Sequence, residues 1–346
     1  MGIGRCFNHF FWKIFHRLDI IEQQKGIKIF SLFGEETLFR VLNWYPILLV
    51  RDKYHRFRSA KKRLSTVTIV FNGDVCNPGL ADRLRAMVSV YYWCKKNNIT
   101  LKIFFNKPFL LSSYLEPNLY DWEVRTLDYS HSYPVSLMSF VGRFGEHRNQ
   151  IYHRKGLDNL LSAGYESIHL YTNTFCYDEF FQTGFSELFK IQNQLRLELN
   201  DIKSRIKNKY ITISFRFSRL LGDIEDSYGT PLGLDERIEL INTCISSIKS
   251  IVEFNKVEKC IVTSDSITFI EAVSKLPYVY IIPGSVGHIC NDVSENQVRK
   301  TFWDMFMISM AEKAYMVRTP LMYRSGFAKR AAMITGIPFE DVLIER

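Results

Sequence analysis

The sequence predicts an α/β protein of two domains, each built on a parallel sheet. Three observations carry this. Strand-like runs of β-branched and aromatic residues alternate with helix-like runs in the first half of the chain and again in the second. The runs are joined at the spacing of βαβ units. The length of 346 residues is enough for two cores of ordinary size, and 47% hydrophobic with 23% charged residues is the balance of a globular chain.

The elements follow in order. Residues 1–65 read as an amphipathic and basic extension. In "FNHFFWKIFHRL" the residues Phe7, Phe10, Phe11, Ile14, Phe15 and Leu18 recur at the spacing of one helix face. "RDKYHRFRSAKKR" (51–63) sets seven basic residues against Asp52 alone, a large part of the formal net charge of +9. Stripe and basic run together suit an anionic membrane surface, and packing on the protein's own core is the alternative for the stripe. The start "MGIGRC" has the glycine of a myristoylation signal but carries Cys6 where Ser or Thr is required.

A first α/β domain is expected over 66–205. "TVTIVF" (66–71) is a strand, "LADRLRAMVSVYYWCKKNN" (80–98) a helix and "ITLKIFF" (99–105) a second strand. Residues 106–165 show no clear period. "ESIHLYT" (166–172) is a strand, 177–190 a helix, and the polar helix 193–209 a bridge between domains. A second domain is expected over 206–346. It has strands at 210–217, 259–265, 278–284 and 315–319, with helices at 234–255, 267–276, 300–314 and 325–336. Four strands alternating with helices predict a doubly wound sheet.

Several classes are excluded by what is missing. No run of about 18 apolar residues exists for a membrane span. The N-terminal apolar run is broken by Lys13, His16 and Arg17, unlike a secretory signal. The seven cysteines are odd in number, dispersed and without a C-x-x-C pair, which reads as reduced thiols in a cytoplasmic protein, peripheral on the membrane if the extension binds lipid. Neither a P-loop nor a G-x-G-x-x-G occurs, and neither does a D-x-D metal–nucleotide handle. Nucleic acid is disfavoured as a partner, because the positive charge is concentrated outside the Rossmann-like part.

Ligands of open parallel sheets bind beyond the C-terminal strand ends. Those positions hold Arg216 and Arg219, then "TSDS" with Asp265 and Ser266, then "PGSVGHI" with His288, then Ser325, Gly326 and Phe327. In "YITISFRF" the apolar Ile211, Ile213, Phe215 and Phe217 alternate with Thr212, Ser214 and Arg216, so Arg216 is expected to leave a polar face at the ligand end. A guanidinium grips phosphate bidentately. Helix N-termini at Ser266 and Ser325 would add backbone N–H groups for the same anion, so a diphosphate ligand is expected. The structural alternative pairs Arg216 with Asp223 or Glu225.

In order along the chain, "FNGDVCNPGLADRLRAMVSVYYWCKKNNITLKIFF", "FRFSRLLGDIED", "IVTSDSITFIEAV" and "KTFWDMFMISMAEKAYMVRTPLMYRSGFAKRAAMITG" resemble the fucosyltransferase superfamily of α-1,2-, α-1,6- and protein O-fucosyltransferases, over about 66–346. The resemblance implies a GT-B fold, two Rossmann-like domains with a cleft between them. It implies an inverting, metal-independent transfer from GDP-fucose, with no further cofactor. Arg216 then matches the arginine on the donor diphosphate. Asp265 and Ser266 match a loop near the nucleotide, Asp304 a family helix, and Ser325, Gly326 and Phe327 a phosphate-receiving helix end. "GLADRLRA" matches the acceptor-facing loop, with Asp82 and Arg83. Ala81 and Asp82 replace the family's second glycine and its asparagine, and Ser214 or Phe215 stands in place of its histidine. The acceptor hydroxyl needs a base, for which Asp82, Asp74 and His288 are candidates. The expected function is transfer of a sugar, fucose first, from a GDP-sugar to a glycan, lipid-linked or free, in polysaccharide or glycan biosynthesis. A non-catalytic nucleotide-sugar or nucleic-acid binder on the same scaffold is the alternative.

Overall fold

A computed structural model describes residues 34–54, 62–75, 79–207, 209–224, 229–285 and 293–345. The Phe7–Leu18 stripe, residues 55–61 of the basic run, Glu225 and His288 lie outside the described residues. The chain divides into two units, Met1–Ser112 with Pro117–Lys190, and Ser113–Glu116 with Ile191–Arg346.

In the first unit, helix α1 (Glu35–Val50) precedes β1 (Thr66–Phe71), α2 (Leu80–Lys96), β2 (Thr100–Phe105), β3 (Ser132–Leu137), α3 (Glu146–Leu160), β4 (Ser167–Thr172) and α4 (Phe181–Leu188). The sheet runs β2-β1-β4-β3 and every pair is parallel. Five of the six β1 residues are buried, as expected of a strand covered on both faces. The segment without sequence period contains β3 and α3, and both hide for physical reasons. Strand β3 lies at the sheet edge and carries Pro134, which only an edge tolerates. Helix α3 buries Asn149, His153, Leu157 and Leu160, so half of its inward stripe is polar. Gly156 lets α3 approach β3, since a Cβ there would stand 2.5 Å from Leu137 Cδ1.

The second unit contains α5 (Asn193–Ile206), β5 (Tyr210–Phe215), α6 (Leu234–Asn255), β6 (Lys259–Ser264), α7 (Ile267–Val273), β7 (Val279–Tyr280), α8 (Glu295–Ser309), β8 (Ala314–Arg318), α9 (Phe327–Thr335) and β9 (Phe339–Leu343). Its sheet runs β9-β8-β5-β6-β7, again parallel throughout. Central β5 is buried at every residue, and Ile211, Ile213 and Phe215 share one core with Leu240, Cys244 and Ile248 of α6.

The polar helix read as a bridge is α5. It buries Leu195, Leu199, Ile202 and Ile206 and packs within the second unit. Its Glu198 accepts from Arg299 (2.6 Å) and from Trp303 Nε1 (2.9 Å) of α8. Helix α8 starts five residues earlier than its apolar period, because Ser294 and Gln297 form a capping box. The fifth strand, β9, was not visible in the sequence. Its charges are matched by neighbours instead: Lys313 to Glu340 (2.7 Å), and Arg318 and Arg324 to Asp341 (2.9 and 2.7 Å). Charged edge strands resist pairing with other chains. Cys94, Cys176, Cys244 and Cys260 are buried free thiols. Among the described residues, no helix is long and apolar enough to cross a membrane.

Candidate active site

The second sheet changes direction at its centre. From β5 the chain steps outward to β6 and β7, then returns to the other side of β5 for β8 and β9. Such a switch point opens a crevice at the C-terminal ends of the two strands that flank it. The loops after β5, β6 and β8 bring Arg216, Asp265 and Ser266, and the Thr319–Phe327 segment to that end of one sheet.

Arg216 emerges from buried β5 with its side chain 15% exposed. The alternation that singled it out marks no open face. Thr212 and Ser214 are buried, and Ser214 Oγ lies 2.8 Å from Thr263 Oγ1 on β6. Arg216 is polar because the strand has ended, not because one side of the strand is wet. Among the described residues a carboxylate neighbour of Arg216 is Asp265, 3.3 Å from Nε. The same carboxylate accepts from Phe217 N (2.8 Å) and Ser218 N (2.7 Å). Burial raises the Asp265 pKa above the ordinary aspartate value, against Arg216 and the two amides, which pull it down.

Asp223, one of the two expected partners of Arg216, is used elsewhere. It accepts from Ser266 Oγ (2.6 Å) and Thr268 N (2.8 Å), while Ser266 Oγ accepts from Phe269 N (3.1 Å). The N-terminus of α7 is therefore capped from within. The N-terminus of α9 differs. Gly326 caps it with no side-chain bond, and open space lies where a Cβ would sit. Ser325 Oγ accepts from Phe327 N at 3.2 Å. Arg219 is exposed on the turn that its carbonyl closes with Gly222 N (3.0 Å). Among the described residues Asp304 shares no hydrogen bond with these loops. It accepts from Lys300 Nζ one turn back on α8 (2.6 Å), and burial raises its pKa against that lysine.

Sequence reading missed Arg237. Its guanidinium covers Gly222, so a Cβ there would meet NH2 at 2.7 Å, and its Nε donates to Leu232 O (2.8 Å). No motif marks an arginine on the first turn of a helix as part of a loop.

The first unit presents its candidates beyond β1. Asp82 stands on the first turn of α2, 42% exposed, and accepts from Arg85 NH2 (2.7 Å). Asp74 is held by Lys53 Nζ on both oxygens (2.6 Å each) and by Asn72. Arg83, expected on the acceptor side, is inside. It is 2% exposed, donates to Lys107 O (3.0 Å) and lies over the rings of Phe105 and Phe71 (5.3 and 5.8 Å). Behind Asp74 lies a polar cluster that no local pattern announced. Tyr54 Oη lies 2.9 Å from both His169 Nδ1 and Tyr171 Oη. Lys53 and Lys62, read as part of the basic run, are both paired inside this unit, Lys62 with Glu166. Among the described residues no group of three or more His, Cys, Asp or Glu could hold a metal ion.

No family model and no curated protein matches the sequence. Solved structures do match in fold. NodZ alpha-1,6-fucosyltransferase, solved from Bradyrhizobium and soaked with GDP-fucose, is 15% identical over 79% of this chain and 93% of its own, at a TM-score of 0.49. POFUT1 in complex with GDP is 10% identical over 82% and 99%, at 0.48. Arabidopsis thaliana FUT1, a point mutant in complex with GDP, is 13% identical over 86% of this chain and 74% of its own, at 0.52. With parallel sheets in both units and this likeness to FUT1, the chain has the α/β fold of GT-B type expected from its sequence.

Proposed function

We propose that the chain is an inverting glycosyltransferase that moves fucose from GDP-fucose to a glycan hydroxyl without a metal ion. The observation that carries this is the placement of Arg216, a guanidinium fixed at the switch point of the second sheet. The fold shared with FUT1, a protein solved with GDP, supports the choice of nucleotide.

In this reading the bond between the fucose anomeric carbon and the β-phosphate oxygen breaks, and its electron pair leaves with GDP. Arg216 meets the charge that grows on the diphosphate, and fixed charge of this kind lowers the barrier because it needs no reorganisation. The open N-terminus of α9, at Ser325, Gly326 and Phe327, adds backbone dipoles of the right sign. The acceptor oxygen attacks from the opposite face and passes its proton to Asp82, an accessible carboxylate. A lipid-linked acceptor at a membrane surface extends the same proposal.

Thermal unfolding in the presence of GDP, UDP and ADP tests it. Saturation with GDP at about 100 times its dissociation constant should add about 2.7 kcal/mol of stability, and UDP and ADP far less. Equal shifts with all three would remove the GDP assignment. GDP binding without any turnover of GDP-fucose, by hydrolysis or transfer, would leave a nucleotide-sugar binder. Loss of turnover in EDTA, restored by manganese, would overturn the metal-free mechanism.

A further inference from the structure

We propose that Asp265 acts through Arg216, as the residue that sets the guanidinium and the turn behind it, and makes no contact with the donor. This rests on the donor site proposed above and reassigns one of its members. Three consecutive residues turn to this one carboxylate: Arg216 as an ion pair with Nε at 3.3 Å, and Phe217 N and Ser218 N as hydrogen-bond donors at 2.8 and 2.7 Å. Two carboxylate oxygens offer about four acceptor positions, so most of the capacity is used inside the protein. The side chain is 5% exposed, which leaves no face for a sugar or a nucleotide.

The backbone shows what the carboxylate does. Ser218 has φ +51°, in the left-handed region. That conformation disfavours a residue with a Cβ by roughly 1–2 kcal/mol, which the two amide bonds offset. Phe217 is fully buried against Phe269, with ring centroids 4.8 Å apart. Arg216 is thus the first residue of a turn fixed on its next two members, and the register Phe215–Ser264 places Asp265 directly beside it. Asparagine has the same shape but only one accepting oxygen. It would face one amide with an NH2 group and remove the charge beside Nε.

A mutant cycle on Asp265→Asn, Arg216→Ala and the double variant tests the assignment, with GDP-fucose turnover measured on folded protein. Asp265→Asn should lower kcat by about 10- to 100-fold and leave the donor KM within about threefold, since displaced machinery loses the transition state more than the ground state. The double variant should turn over no more slowly than Arg216→Ala alone, because Asp265 then has nothing left to position. Losses that multiply, or a raised KM at unchanged kcat, would overturn the proposal. If Asp265→Asn does not fold, the same cycle is run in a Ser218→Gly background, where glycine takes φ +51° without strain and no amide bond is needed to offset it. A wild-type protein that neither binds GDP nor turns over GDP-fucose would sink the proposed function instead. The turn is then read by hydrogen exchange: Asp265→Asn should speed exchange at the Phe217 and Ser218 amides tenfold or more, and unchanged rates would sink the turn-setting role as well.

Discussion

The two units are built on the same plan and bury titratable groups of opposite kinds. The first places neutral bases in its interior. His153 and His169 are 0% and 2% exposed, and burial pushes both pKa values down to about 4. The second places acids there, Asp265 and Asp304, whose pKa values burial raises against Arg216 and Lys300. Its described residues include no histidine. One fold can therefore be held together by groups that answer a change of pH in opposite directions, and the difference between the units can be broken or sharpened by experiment.

The largest expected effects are on turnover, and they separate the units by the step proposed for each. Asp82→Asn in the first unit should slow transfer to acceptor by about 100- to 10,000-fold, the usual contribution of a general base. GDP binding should be unchanged. Stability should change by only about 1 kcal/mol, because Asp82 is itself 42% exposed and asparagine keeps an oxygen that can accept from the largely buried Arg85. Normal transfer by this variant would move the base elsewhere.

Arg216→Ala should reduce turnover by about 100- to 1000-fold. Unlike Asp82→Asn, it should also lower the melting temperature. It removes the cation beside buried Asp265, and a buried acceptor that loses a partner costs about 1–3 kcal/mol. Arg216→Lys should recover stability better than turnover, since lysine restores charge but not the planar fork. A variant that loses stability alone would make Arg216 a structural residue.

Acid should loosen the first unit before the second. The folded pKa values of His153 and His169 lie below the unfolded value of about 6.5. Their contribution is complete above that value and is lost as the pH falls from about 6.5 to 4. It amounts to roughly 3 kcal/mol per ring. Asp265 and Asp304 have the reverse sign. Their folded pKa values exceed the unfolded ones, so what they contribute is present at low pH and lost as the pH rises through the folded values. Asp341 adds a carboxylate whose pKa burial raises but Arg318 and Arg324 lower further, and it acts only below the histidine window. Hydrogen exchange at pH 7 and pH 5 should show protection falling in β1 and β4 while β5 and β6 hold. Equal loss in both sheets would contradict the assignment.

Much of this fold was legible because parallel strands buried on both faces are written as apolar runs. The exceptions were elements whose burial is polar or partial: α3 with Asn149 and His153 inside, and β9 with charges at a sheet edge. The candidate site was legible in part. The place of Arg216 at a strand end could be read directly. Its partner could not, because Asp265 is adjacent only once β6 pairs with β5, and the sequence does not state strand order. Asp223 is nearer along the chain but caps α7. Arg83 could have been placed. It shares the phase of Leu80, Leu84 and Met87 on α2, which is the buried stripe, and its neighbour Asp82 lies off that stripe.

The smallest predicted effect compares one glycine in each unit. Gly73 follows β1 at φ +81° and Gly222 follows the β5 turn at φ +74°. Alanine at either position suffers the left-handed conformation, about 1–2 kcal/mol. The surroundings differ. A Cβ on Gly73 would stand 3.5 Å from Lys107 Cβ, an ordinary contact, whereas one on Gly222 would meet the Arg237 guanidinium at 2.7 Å. The guanidinium is the far end of a flexible side chain and can move, at the expense of its bond to Leu232 O. Gly222→Ala should therefore destabilise by about 1 kcal/mol more than Gly73→Ala, the worth of one hydrogen bond. With Arg237→Ala already present, the added effect of Gly222→Ala should fall to that of Gly73→Ala, because only backbone strain is left. Chemical denaturation of the four variants measures both differences. An excess at Gly222 that survives the loss of Arg237 would show that the turn after β5 is strained by something other than the guanidinium above it.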